Sequence, residues 1–301
     1  MGAALLFFDD ERGAAARLAQ AAGLEPACIE RHRFPDDELR LRLPVGADGR
    51  LPPRVVLFRS LARPNEKLVE LLLAARTART LGARQLVLVA PYLAYMRQDA
   101  AFRPGEAVSQ RVVGDFLGSL FDALVTLDPH LHRVAALSEA VPLPHAVALS
   151  AAPLLADLIA ARCTAPVLIG PDAESAQWVG AAAARHGFDH AVCTKHRHGD
   201  HEVDIELPPR DVRGRAVVLL DDVASSGRTL ARAALLLRRA GAASVDVAVT
   251  HALFAGDALQ AILAAGVGRV WSTDCIAHPT NAVGVAPLLA AALRELPGPA
   301  A

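Results

Sequence analysis

The chain has 301 residues, 53% of them apolar but only 4% aromatic, and a formal net charge of −1. That length holds one large core or two ordinary ones, two domains being the better fit, and a core of Ala, Leu and Val suits helices packed on a parallel sheet rather than an aromatic-rich β-sandwich. Near-neutral charge supplies no bulk basic field for nucleic acid or a membrane surface, so any anion site must be local.

An apolar run at residues 3–8 ends at Asp9-Asp10-Glu11. It is too short for a membrane span and lacks the basic flank of a signal peptide. The four cysteines (Cys28, Cys163, Cys193, Cys275) form no CxxC pair. Neither a zinc site nor a disulfide framework is therefore expected, and the chain reads as a soluble, cytoplasmic protein. Strand-like apolar runs follow at 54–59, 85–90, 123–127, 166–169, 216–220 and 244–249. Helical periods fall at 66–81, 109–119, 154–162, 173–186, 229–240 and 257–265. Their alternation predicts an α/β protein with mostly parallel sheets flanked by helices. The unit 55–58, helix, 86–89 is echoed by 217–220, helix, 245–249, about 160 residues later. The echo predicts two similar domains, residues 1–146 and 147–284, with a last helix in 285–301 packing back on the first.

The stretch richest in chemistry is Asp221-Asp222-Val223-Ala224-Ser225-Ser226-Gly227-Arg228-Thr229. An apolar strand leads into two adjacent carboxylates, then a small-residue turn, then a helix. Accessible backbone N–H groups and the positive end of the helix make a phosphate cradle there. The carboxylates are suited to sugar hydroxyls or to a divalent cation. An ordinary helix capped by Ser225 or Ser226 is the plainer alternative.

This stretch resembles the phosphoribosyl pyrophosphate loop of type I phosphoribosyltransferases and of ribose-phosphate diphosphokinases. Further motifs are similar to the diphosphokinase family in particular. Phe34-Pro35-Asp36-Asp37-Glu38 resembles its N-terminal motif, although read alone it is an acidic turn. Asn65-Glu66-Lys67-Leu68-Val69-Glu70-Leu71-Leu72 and Pro91-Tyr92-Leu93-Ala94-Tyr95-Met96-Arg97-Gln98-Asp99 resemble two more signatures, and Asp128-Pro129-His130 matches the family's Asp-x-His. Gly170-Pro171-Asp172-Ala173 opens a helix after a strand, and Lys195-His196-Arg197 matches a catalytic Lys-x-Arg carried on a flexible loop. Read by itself, residues 194–202 form a polar stretch too hydrophilic for a core.

The resemblance implies two type I phosphoribosyltransferase-like domains and diphosphoryl transfer from ATP to ribose 5-phosphate with Mg²⁺. ATP would meet Phe34, Asp36, Glu38, Arg97 and Gln98, with His130 and Asp172 at the metal. The sugar phosphate would meet Asp221, Asp222, Ser225, Ser226, Gly227, Arg228 and Thr229. Lys195 and Arg197 would stabilise the transferring group. In this family the adenine-contacting turn comes from a neighbouring subunit, which implies a homo-oligomer. Two departures stand out: Ser225 replaces a third acid, and Arg228 replaces a glycine. A phosphoribosyltransferase or a catalytically silent regulatory homologue remain the alternatives.

Overall fold

The computed structural model describes residues 3–198 and 202–299, the side chains of 195–204 excepted. Two compact units divide the chain: Met1–Leu149 with Val285–Ala301, and Ser150–Gly284.

The first unit opens with the strand β1 (Ala3–Phe8), α1 (Arg12–Ala22), β2 (Glu25–Arg33) and β3 (Leu39–Arg42). It continues with β4 (Arg54–Phe58), α2 (Pro64–Thr80), β5 (Gln85–Ala90), α3 (Ser109–Gly118), β6 (Ala123–Leu127), α4 (Leu137–Ala140) and β7 (His145–Leu149). Its sheet has the order β3-β2-β1-β4-β5-β6-β7. All pairings are parallel except β2 with β3, which forms an antiparallel hairpin. The central strands β5 and β6 are buried at every position, as expected where helices cover both faces of a parallel sheet.

The second unit contains α5 (Ala152–Arg162), β8 (Val167–Gly170), α6 (Ala176–His186), β9 (Asp189–Val192), β10 (Thr194–His198), β11 (Glu202–Glu206), β12 (Ala216–Ala224), α7 (Arg228–Arg239), β13 (Ser244–Ala252), α8 (Ala258–Ala264), β14 (Val270–Thr273) and β15 (Asn281–Val283). The helix α6 ends at Gly187, whose φ of 68° is a left-handed conformation that glycine adopts without strain. Its main sheet runs β15-β14-β13-β12-β8-β9, and β10 pairs antiparallel with β11 as a separate two-stranded sheet. Read from β9, this is the order β9-β8-β12-β13-β14-β15, the same path as β2-β1-β4-β5-β6-β7 in the first unit. The echo in the sequence therefore corresponds to two copies of one topology.

The last helix, α9 (Ala286–Glu295), belongs to the first unit. Arg54 Nη2 donates to Leu293 O at 3.0 Å, Arg294 Nη1 to Ala21 O at 3.1 Å, and Gln85 Nε2 to Pro297 O at 2.8 Å.

The end of β4 is closed by charge. Arg59 is 1% exposed, and Glu70, reaching in from α2, is fully buried. Arg59 contacts Asp10 at 2.8 Å, Glu11 at 3.0 Å and Glu70 at 2.5 Å, and its guanidinium lies 4.6 Å from the Phe8 ring centroid. Arg31 also pairs with Glu70. A cation this deep is tolerated because carboxylates surround it. Among the described residues no helix is long and apolar enough to cross a membrane.

Candidate active site

The acids at 221 and 222 lie within a strand, not in the turn after it. β12 continues past its apolar stretch because β13 runs alongside it, pairing Asp221 with Val249, Val223 with His251 and Ala224 with Ala252. Asp222 is 3% exposed and Asp221 half-buried, and their side chains are hydrogen-bonded to each other. Asp222 N donates to Asp221 Oδ1 at 3.0 Å. Asp172 projects from the end of the adjacent strand β8, paired with β12. Burial, then the charges of Asp222 and Asp172, push the Asp221 carboxyl well above the usual carboxylate range. Three acids from two neighbouring strand ends thus crowd one spot, an arrangement that a cation or sugar hydroxyls would relieve.

Asp172 is held by its own turn. Its Oδ1 accepts from Glu174 N at 3.2 Å, and its carbonyl accepts from Ser175 N at 3.2 Å and Ser175 Oγ at 2.6 Å. Ser175 is fully buried, tucked against Gly170.

The turn after β12 is fixed by Gly227. Its φ is 68°, and an added Cβ would sit 2.9 Å from Ile262 Cδ1 and 3.0 Å from Ala258 O. Gly227 itself is the N-cap residue of α7, which starts at Arg228, so no side chain caps the helix. The plainer reading of Ser225 or Ser226 as the cap is therefore not realised. Helix α7 sits in place by burying Leu230, Ala233, Ala234 and Leu237, a spacing that puts all four on one face. Phe254 N donates to Ala224 O at 2.9 Å and Ala255 N to Ser225 O at 3.0 Å, so the loop after β13 braces the turn. Spacing in the sequence gives no hint of this second wall. Ser226 and Arg228 are exposed and Ser225 and Thr229 half-buried, around the positive end of a helix.

In the first unit the remaining candidates occupy loops at the C-terminal ends of three parallel strands, the edge where α/β proteins bind ligands. After β2, Phe34–Glu38 is the tip of the β2–β3 hairpin. Phe34 N donates to Glu38 O at 2.9 Å, Asp37 takes a φ of 70°, and Asp36 Oδ1 accepts from Glu38 N at 3.3 Å. The Phe34 ring is 37% exposed, with His32 edge-on at 4.8 Å and Arg40 over it at 5.9 Å. After β5, Arg97 is exposed, while Gln98 Nε2 donates to Ala100 O at 3.1 Å. After β6, Asp128 is buried with a φ of 34°, and half-buried His130 lies against His132, ring centroids 3.8 Å apart. Sequence patterning passes over His132; the signal for it is the spacing His130-Leu131-His132.

Lys195 and Arg197 lie in β10, which pairs with β11 through Lys195 with Ile205 and Arg197 with Val203. The polar stretch expected as a loop is thus largely one arm of an antiparallel two-stranded pair. Where the Lys195 and Arg197 side chains point lies outside the described residues.

Two parallel-sheet units of one topology, with an acid pair and an open helix end at a strand terminus, define a phosphoribosyltransferase-type α/β protein. Residues 4–120 match the N-terminal domain of ribose phosphate pyrophosphokinase, and residues 145–261 match the phosphoribosyl transferase domain. The ribose-phosphate pyrophosphokinase of Methanopyrus kandleri is 37% identical over 286 residues, covering 94% of this chain and 95% of that one. That of Methanosarcina acetivorans is 34% identical over 285 residues, covering 94% and 96%. The crystal structure of phosphoribosylpyrophosphate synthetase from Mycobacterium smegmatis shares the fold, with a TM-score of 0.83 at 24% identity over 98% of both chains. The chain belongs to the ribose-phosphate pyrophosphokinase family.

Proposed function

We propose that this chain transfers the diphosphoryl group of ATP to the anomeric hydroxyl of ribose 5-phosphate, giving 5-phosphoribosyl 1-pyrophosphate and AMP. The observation that carries this reading is the acidic end of β12 running into the uncapped N-terminus of α7. Carboxylates for ring hydroxyls beside N–H groups for a phosphate suit a sugar phosphate and little else. Likeness to ribose-phosphate pyrophosphokinases over nearly the whole chain, with a match to their N-terminal domain, favours this reaction over nucleobase transfer.

In this reading Asp221 and Asp222 accept from the ribose hydroxyls, while Ser225, Ser226, Gly227, Arg228 and Thr229 hold the 5-phosphate. Phe34 offers a ring face to adenine, and Asp36 and Glu38 accept from its amine. Arg97 and Gln98 donate to the ATP phosphates. The sugar's C1 hydroxyl loses its proton and attacks the β-phosphorus. The bond from that phosphorus to the oxygen shared with the α-phosphate breaks, and AMP leaves with that oxygen. Lys195 and Arg197 offset the charge on the group in flight.

Magnesium is the cofactor of this reading, and the crowded carboxylates of Asp172, Asp221 and Asp222 are the hard oxygen donors it prefers. When bound, it would neutralise phosphate charge. Asp172 and His130 are the proposed metal positions, of which Asp172 is the better match to a hard ion. A homo-oligomer belongs to the same reading, with the exposed Phe34 turn serving a neighbouring copy. A cytoplasmic setting accords with four free thiols.

Purified protein with ATP, Mg²⁺ and ribose 5-phosphate is expected to release AMP, and Lys195→Ala to release almost none. Equal, background-level AMP from both proteins would overturn the assignment.

A further inference from the structure

The wall that braces the phosphate turn has a support of its own. Phe254 N and Ala255 N hold the carbonyls of Ala224 and Ser225, and the Phe254 ring lies against the imidazole of His278, centroids 4.9 Å apart and planes at 43°. Phe254 is 8% exposed, so its position is set by what packs on it. His278 sits on the loop between β14 and β15, and that loop is tied closed by Asn281. The Asn281 Nδ2 group reaches Ser272 Oγ at 2.9 Å, Thr273 O at 2.6 Å and Ile276 O at 3.1 Å, while its Oδ1 accepts from His278 N at 2.9 Å. Ser272 N donates to Thr280 O at 2.9 Å, and Asn281 N to His278 O at 3.0 Å. The imidazole itself is fixed by Thr280, whose N donates to His278 Nδ1 at 3.3 Å and whose Oγ1 lies 2.8 Å from it. A backbone N–H only donates, so Nδ1 is the acceptor nitrogen of a neutral ring, and burial lowers the pKa of that ring.

No member of this network enters the proposed reaction, yet it ends on one ring, and that ring touches the residue that braces the turn. We propose that His278 is a positioning residue for the sugar-phosphate turn. Held by Thr280 and Asn281, it keeps Phe254 in place, and Phe254 keeps residues 224–229 in the arrangement that receives the phosphate. This deepens the reading of residues 225–229 as the 5-phosphate site and rests on it. Without the ring contact the turn gains other arrangements, and apparent affinity falls in proportion to the fraction that stays competent. One aromatic contact is worth about two- to tenfold in an equilibrium constant, which bounds the effect.

The test is isothermal titration calorimetry of ribose 5-phosphate binding to the full-length protein without ATP. His278→Ala is expected to weaken binding about two- to tenfold at unchanged stoichiometry. His278→Phe keeps a ring against Phe254 while giving up the Thr280 contacts, and is expected to recover most of the loss. His190→Ala, at an exposed histidine of the same unit, is expected to bind as wild type does. Should His278→Ala fail to fold, Phe254→Leu removes the other ring of the pair and is expected to show the same loss. Wild-type affinity in His278→Ala, or a loss that His278→Phe does not repair, would overturn the proposal. A fall in stoichiometry at wild-type affinity is a folding defect, and it too would overturn the proposal. Because ATP is absent, protein that binds ribose 5-phosphate but releases no AMP sinks the reaction alone, whereas wild type that does not bind the sugar sinks both.

Discussion

Replacing Gly227 by alanine tests whether the phosphate-cradling turn is pinned by close approach as well as by backbone conformation. Gly187 supplies a matched control within the same unit. Its φ is also 68°, but an added Cβ there meets nothing within 4 Å. Forcing alanine into the left-handed region costs about 1–2 kcal/mol at either position. The smaller conformational freedom of the unfolded alanine chain returns a similar amount in both and cancels in the comparison. At Gly227 the new methyl meets Ile262 Cδ1 at 2.9 Å, a flexible end, and Ala258 O at 3.0 Å, a helix carbonyl that cannot turn aside. Overpacking of this kind costs about 1–3 kcal/mol. Gly227→Ala is thus expected to lower stability by about 2–5 kcal/mol, against about 1–2 for Gly187→Ala. Urea unfolding followed by circular dichroism measures the difference, and steady-state kinetics should show a raised KM for ribose 5-phosphate only in Gly227→Ala. Equal destabilisation in the two variants would refute the idea that α8 fixes the turn.

Asp221→Asn is expected to stabilise the fold at neutral pH while impairing turnover, the trade seen where a site stores repulsion. A carboxyl with a raised folded pKa stabilises the native state fully below its unfolded value of about 4, and that stability is lost as pH rises towards the folded value. The gain from Asp221→Asn should therefore be present near neutrality, shrink as pH falls below the raised folded value and be gone below about 4; thermal melts across pH that show a constant difference would count against it. Glu70→Gln is expected to cost about 3 kcal/mol, the low end for breaking a buried ion pair, because Asp10 and Glu11 remain on Arg59. Glu30→Gln, which breaks an exposed pair with Arg42, should change stability by less than about 1 kcal/mol in the same unfolding assay.

The elements legible in the sequence are those that bury a continuous apolar run or face. β5, β6 and the first five residues of β12 are of this kind, and α7 repeats its buried residues at helical spacing. β2 was not legible because only Ile29 of its nine residues is buried, so it lacks a core-facing pattern. β10 and β11 pair only with each other, and Ile205, which joins the core of the second unit, is a single buried position in a polar stretch. The short run at 3–8 proved to be β1, whose length excluded a membrane span but not a strand. The acid pair was legible as chemistry but not as strand, because its extended backbone is imposed by β13 alongside. Asp172 was legible only through its place after an apolar run, and its nearness to Asp221 follows from β8 and β12 being neighbours.

The two copies of the topology also differ in charge at the end of one pair of corresponding strands, β4 and β12. In the first, β4 is followed by Arg59; in the second, the corresponding residue after five strand positions is Asp221. The first copy answers its charge from within, with Asp10, Glu11 and Glu70 around the guanidinium. The second sets acid against acid. The cluster around Arg59 is a closed circuit, complete when the chain has folded. The acids around Asp221 are an open circuit that folding alone leaves unbalanced, to be completed by a molecule from outside the chain. A doubled fold can in this way settle one strand end by folding and leave its counterpart for a ligand to settle.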